Sequence, residues 1–210
     1  MIMETKVFNL IILDESGSMC RIEKQAVDGV NETIQSIRAA QKTNAKQKHY
    51  VTLVTFNEES KVLYNCAPVD EVRDITDKEY EPNCCTALFD AMGMSLMELK
   101  KTVADENRVL VTIITDGEEN SSKEYDGTAI KKLVENFKQK GWIFTYIGAN
   151  QDVEKVAESM SINNTMAFEA TSEDTSRVFA CERACRMNLY ARICDEDFDA
   201  AEENKNFFKK

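Results

Sequence analysis

Near-continuous apolar runs alternate along this chain with stretches whose apolar positions recur every three or four residues. These are the patterns of buried strands and amphipathic helices. KVFNLIIL (6–13) is a strand that stops abruptly at Asp14. Residues 21–41 place Ile22, Ala26, Val30, Ile34, Ile37 and Ala40 on one helical face. HYVTLVTFN (49–57) is β-branched and aromatic, and SKVLYNC (60–66) follows after a short polar break, which predicts an antiparallel hairpin.

A less regular segment, 67–85, leads to a helix from Thr86 to about Val103, lined by Leu88, Ala91, Met92, Ser95, Leu96 and Leu99. RVLVTIIT (108–115), the most apolar strand, ends at Asp116. A helix over about 126–140 is closed by Gly141. The strand WIFTYIG (142–148), a short helix (about 151–159), a short strand in TMAFEA (165–170) and a last helix (172–194) follow. DEDFDAAEENKNFFKK reads as a charged, partly frayed tail. With no repeat and no Pro/Gly/Ser linker, the expectation is one domain over 1–195 and a charged tail over 196–210.

Continuous apolar strands alternating with helices predict an α/β fold, a doubly wound and mostly parallel sheet with helices on both faces. Ligands of such sheets bind beyond the carboxyl ends of the strands, where the strand order reverses. Asp14 and Asp116 both terminate strands. If those strands are neighbours, the two carboxylates share one crevice.

Composition narrows the function classes. A net charge of −11 over 210 residues argues against nucleic acid or an anionic membrane as the main partner. No apolar run approaches the roughly 18 residues of a bilayer span. VFNLIIL lacks a basic flank and a small-residue cleavage site, so it reads as a strand rather than a signal peptide. Seven cysteines, two of them adjacent (Cys84 and Cys85), suggest free thiols and a cytoplasmic location. Cys181, Cys185 and Cys194 lack zinc-site spacing and read as core residues on a helical stripe, and Cys84 and Cys85 as packing or rim residues.

The candidate site is all oxygen: Asp14, Ser16 and Ser18 in DESGS, Thr86 before the second long helix, and Asp116. Two carboxylates with three hydroxyls suit a hard cation such as Mg²⁺. In DESGS, alternate residues of a tight loop can aim three oxygens at one centre, with Gly17 permitting the turn. Ser18 and Thr86 fit equally as helix caps, and Asp116 as a turn residue, when each is taken alone. The set gains weight because each loop at the carboxyl edge begins with an oxygen ligand.

The chain resembles the von Willebrand factor type A family over about residues 5–195. That family carries Asp-x-Ser-x-Ser after its first strand, a distant Thr, and an Asp after its fourth strand, together the metal-ion-dependent adhesion site (MIDAS). DESGS, CCTALFDAM and IITDGEEN supply all five positions. Cys85 stands where the family usually has Gly before the Thr, a departure that removes no ligand. The resemblance implies a six-stranded sheet of order 3-2-1-4-5-6 with strand 3 antiparallel. It also implies a module that binds Mg²⁺ (or Mn²⁺ or Ca²⁺) and offers an open coordination position to a carboxylate of a partner protein. Glu15, Met19, Arg21, Asn83, Glu118, Glu119 and Asn120 are the expected partner-binding rim.

Two enzymatic alternatives are weighed against this. A Mg²⁺-dependent phosphoryl-transfer hydrolase using Asp14 needs a second Asp two residues on as acid/base, and that position is Ser16. A serine hydrolase needs a base near its nucleophile. The only histidine, His49, is expected at the surface at the start of the second strand, across the sheet from the serines. The expectation is therefore a module without catalysis of its own.

Overall fold

The computed structural model describes residues 4–149 and 152–209. Six strands form one sheet: β1 (Thr5–Asp14), β2 (Gln47–Phe56), β3 (Ser60–Pro68), β4 (Arg108–Thr115), β5 (Trp142–Ala149) and β6 (Asn164–Phe168). Their order is β3-β2-β1-β4-β5-β6, and only β3 runs antiparallel to its neighbour. This is the architecture and the hairpin that the sequence predicts. The helices are α1 (Glu23–Thr43), α2 (Leu88–Lys100), α3 (Gly127–Gln139), α4 (Val153–Ser159), α5 (Ser172–Arg192) and α6 (Ala200–Asn206). Gln151, in the short helix predicted from 151, lies outside the described residues.

The apolar runs are continuous because the central strands are buried on both faces. Val7, Ile11 and Leu13 of β1 join the core under α1 and α5, while Phe8, Leu10 and Ile12 join the core under α2 and α3. Alternate side chains of a strand point to opposite faces, so each layer takes every second residue. On the first face α1 and α5 cross at Gly29, where an added Cβ would lie 2.2 Å from the Phe179 ring. That helix pair therefore packs only with glycine at this position.

Two expectations need correction. The stretch after 195 is not frayed: α6 packs on the end of β5 that β6 leaves uncovered. Asn204 Oδ1 accepts the Phe144 N–H at 3.0 Å, and its Nδ2 donates to Trp142 O at 2.8 Å. Asn164 links Phe144 O and Glu203 O, and Phe207 is buried beside them. The side-chain amide of Asn204 stands in for a neighbouring strand, which the surrounding charges conceal in the sequence. Asn204→Ala is expected to lower unfolding stability by about 1–3 kcal/mol, read in a urea melt, because two buried backbone groups lose their partners.

His49 does sit at the start of β2, far from the serines, but it is fully buried. Its Nε2 is 2.9 Å from Gln47 Oε1, and its ring meets Tyr190 edge-on. Burial, with the nearby Arg186 charge, holds its pKa down to about 3, so it is a neutral core residue.

Candidate metal centre

β1 and β4 are adjacent and parallel, with Leu13 opposite Ile114. Their carboxyl ends therefore deliver Asp14 and Asp116 to one crevice. The Ser18 hydroxyl donates to Asp116 Oδ1 at 2.5 Å and lies 3.2 Å from Ser16 Oγ. A Cβ placed on Gly117 would be 3.1 Å from Thr86 Oγ1, 3.4 Å from Ser18 Oγ and 3.6 Å from Asp14 Oδ2. Oxygens of the DESGS loop and of Thr86 thus surround one point beside Asp116, and Gly117 leaves it open. All five residues singled out in the sequence meet here.

The site's electrostatics favour a cation. Asp14 is fully buried and its pKa is raised to about 6: desolvation outweighs the hydrogen bonds from Thr115 and Ser16, and the Asp116 charge adds to it. Desolvation also raises the Asp116 pKa, against the Ser18 hydrogen bond and the Arg21 charge. Asp116 Oδ2 is buried and has no hydrogen-bond partner among the described residues. Buried polar atoms are rarely left unpaired, and an unplaced ion is one of the standard reasons. No cluster of three or more His, Cys, Asp or Glu side chains suited to a metal occurs among the described residues. Two carboxylates with neutral hydroxyls are a donor set that suits Mg²⁺ or another hard cation.

The helix-cap alternative fails on geometry. Ser18 lies inside the short 3₁₀ turn Gly17–Arg21 rather than before it, Ser16 precedes that turn without a side-chain cap bond, and Ala87, not Thr86, is the residue before α2. Where this chain does cap helices, it uses Asp126, Asp152, Thr171 and Asp199. The hydroxyls of DESGS are turned toward the crevice instead. Gly17 does not take a left-handed conformation, and a Cβ there would make only ordinary contacts with the Cys84 and Asn83 backbone at 3.5–3.9 Å, so the tighter glycine at the site is Gly117. The left-handed residue in the Thr86 loop is Cys84, with φ 61°, rather than Cys85. Its carbonyl accepts the Gly17 N–H at 3.1 Å and ties the two ligand loops together.

The expected rim divides into two groups. Arg21, Asn83 and Glu118 are exposed at the mouth. Met19 is not a rim residue, since the turn folds it into the core with no exposed surface. Glu15 also faces inward, where its carboxylate accepts the Glu81 N–H at 2.6 Å. The Glu119 carboxylate accepts N–H groups of Phe89, Ser121 and Ser122. Asn120 is exposed, yet its side-chain carbonyl accepts the Thr86 N–H at 2.9 Å. Buried loop backbone needs acceptors, and these side chains supply them.

Sequence reading missed three supports. Thr115 donates to Asp14 Oδ2 at 2.5 Å and accepts the Gly117 N–H, and the buried Tyr80 hydroxyl donates to Asp14 O at 2.6 Å. Gly117 is the third. Thr115 and Gly117 flank Asp116 directly, which is the one signal that could have found them. Two exposed thiols, Cys84 and Cys85, also stand in the loop that carries Thr86.

Comparison with known proteins bears on the fold and the family. No curated protein matches the chain. The fold resembles a von Willebrand factor type A protein from Catenulispora acidiphila, at 17% identity and a TM-score of 0.61 over 87% of this chain and 43% of that one. It also resembles proximal thread matrix protein 1 of the mussel byssus, whose structure has a zinc-occupied MIDAS motif (12% identity, TM-score 0.61, 88% of this chain and 46% of that one). A third similar structure is the pilus adhesin SpaC of Lactobacillus rhamnosus GG (12% identity, TM-score 0.66, 89% and 30%). The chain thus spans less than half the length of each, and these likenesses show the fold alone. The model of the von Willebrand factor type A domain, however, matches residues 10–180. With that match covering most of its length, the chain belongs to the von Willebrand factor type A domain family.

Proposed function

We propose that this protein is a metal-dependent protein-interaction module with a complete five-residue MIDAS and no catalysis of its own. Asp14, Ser16, Ser18, Thr86 and Asp116 hold one divalent cation, Mg²⁺ or else Mn²⁺ or Ca²⁺. A position left open at the mouth accepts a carboxylate from a partner protein. The observation that carries this reading is the buried, unpaired Oδ2 of Asp116 beside the point enclosed by Thr86, Ser18 and Asp14. The family's members are mostly interaction modules rather than enzymes, which supports the same reading.

The cation supplies a positive charge, and the residues do the rest. The two carboxylates roughly neutralise a divalent ion, while the three hydroxyls donate oxygen without adding charge. A partner's carboxylate can then bind strongly at the mouth. Arg21, exposed there, adds a cation to an otherwise acidic rim. Seven free cysteines support a reducing, cytoplasmic setting.

Mg²⁺ or Mn²⁺ is expected to raise the melting temperature above that in EDTA, by the equivalent of about 2.7 kcal/mol at a hundred times the dissociation constant. Asp14→Ala should abolish the rise. Identical melts in EDTA and in excess metal would overturn the metal reading. Metal-dependent turnover of a generic phosphatase substrate, lost in Asp14→Ala, would overturn the non-catalytic one.

A further inference from the structure

We propose that Asn120 is a positioning residue of the metal centre, locking the Thr86 loop to the Asp116 loop so that both ligands arrive as one preformed unit. The inference rests on the metal reading above. It comes from a reciprocal pair of hydrogen bonds between two segments remote in sequence. The Thr86 N–H donates to Asn120 Oδ1 at 2.9 Å, and the Asn120 N–H donates to Thr86 O at 3.0 Å. Thr86 is thereby held on both sides of its own Cα, which fixes the direction of its Cα–Cβ bond beside the crevice.

The same stitching continues along α2. Glu119 Oε2 accepts the Phe89 N–H at 2.9 Å, and Ser122 Oγ accepts the Asp90 N–H at 3.0 Å. In return the Asp90 carboxylate accepts N–H groups of Lys123, Glu124 and Tyr125 at 2.7–2.9 Å. The Tyr125 ring then covers Gly93, where a Cβ would come within 2.6 Å of it. The first turn of α2, which lacks a side-chain cap of its own, thus takes its acceptors from the loop that follows Asp116. Of this series, Asn120 alone bonds directly to a proposed ligand residue.

A neutral hydroxyl is a weak donor to a hard cation, so its contribution depends on being held in place beforehand. Ligand geometry is productive only within about 0.5 Å, and removing a group that orients a ligand typically weakens metal affinity by about 10–100-fold. Asn120 is solvent-exposed, so the lower end applies, about tenfold.

The test is a Mn²⁺ titration followed by the free-ion electron paramagnetic resonance signal. The proteins are wild type, Asn120→Ala, Thr86→Ala, the double variant and Asn120→Asp. Asn120→Ala should bind Mn²⁺ about tenfold more weakly than wild type. In the Thr86→Ala background the same change should cost less than about twofold, because a residue acting through Thr86 has nothing left to position. Asn120→Asp keeps the acceptor and should bind at least as tightly as about a third of wild-type affinity. Should Asn120→Ala fail to fold, Asn120→Ser, too short to reach the Thr86 N–H, serves the same comparison. Undiminished affinity in the Ala or Ser variant, or an equal loss in both backgrounds, would overturn the proposal. If wild type itself takes up no Mn²⁺, the metal reading falls with it; wild-type binding with unchanged variants sinks the positioning role alone.

Discussion

Arg186→Met is expected to destabilise the protein by about 3–5 kcal/mol, among the largest costs of any single substitution here, because it strands a buried carboxylate. Arg186, on α5, is fully buried. Its Nε donates to Glu182 Oε1 at 2.7 Å, Nη1 to the Tyr190 hydroxyl at 3.0 Å and Nη2 to Thr112 Oγ1 at 2.7 Å. The Tyr190 hydroxyl in turn donates to Asn9 Oδ1. Glu182 Oε2 already lacks a hydrogen-bond partner among the described residues, so without the guanidinium its charge would have no compensation. Replacing both partners, as in Glu182→Leu with Arg186→Met, should recover part of the loss, since an apolar pair has no charge to desolvate. Urea melts of the two single variants and the double decide it. A double variant less stable than Arg186→Met would show that packing, rather than the ion pair, carries the effect.

This network also shows where sequence patterning stops. The strands and the two aspartates were legible because an apolar run that ends in Asp needs no partner to be recognised. Glu182, Arg186, Asn9 and His49 are different: each is polar and yet buried, and the network that tolerates them joins α5 to strands far away in the chain. Periodicity assigns such residues to the solvent side of a helix or strand. Two of the expected rim residues turn inward for the same reason. Glu15 and Glu119 look solvent-facing in a polar loop, yet they satisfy backbone N–H groups of Glu81 and Phe89, which the fold alone brings near. Asn204 at the β5 edge is the same case at the other end of the chain. The five proposed ligands, by contrast, stood out in the sequence, because Asp14 and Asp116 close apolar runs, the DESGS hydroxyls follow at alternate positions, and Thr86 completes the family motif. The network also bears on the centre's support. Asn9 lies on the strand that ends in Asp14, and Thr112 on the strand that leads to Asp116, so α5 is fastened to both strands that carry the carboxylates.

The second large effect lies at Asp14, and its sign depends on both pH and metal. The Asp14 pKa is raised to about 6 from 3.8 by burial. A folded-state pKa above the unfolded one means that the folded protein binds the proton more tightly. The associated stability is fully present below pH 3.8 and is lost as pH rises through about 6. A shift of this size corresponds to about 3 kcal/mol at neutral pH without metal. Asp14→Asn removes that penalty while keeping the hydrogen-bond pattern feasible. Its carbonyl can accept the Ser16 N–H, and its amide can donate to Thr115 Oγ1, which is free to turn its own proton toward Gly117 O at 3.2 Å. In EDTA at pH 8, Asp14→Asn is therefore expected to be more stable than wild type by about 2–3 kcal/mol, with the gain shrinking toward zero by pH 4. In saturating Mg²⁺ the order should reverse or close, because the cation relieves the charge in wild type and has one carboxylate fewer to bind in the variant. Urea melts at pH 4, 6 and 8, with EDTA and with Mg²⁺, separate the two terms. An Asp14→Asn variant less stable than wild type in EDTA at pH 8 would mean that the carboxylate stabilises the empty crevice. In that case a buried charge awaiting its cation is the wrong description of this site.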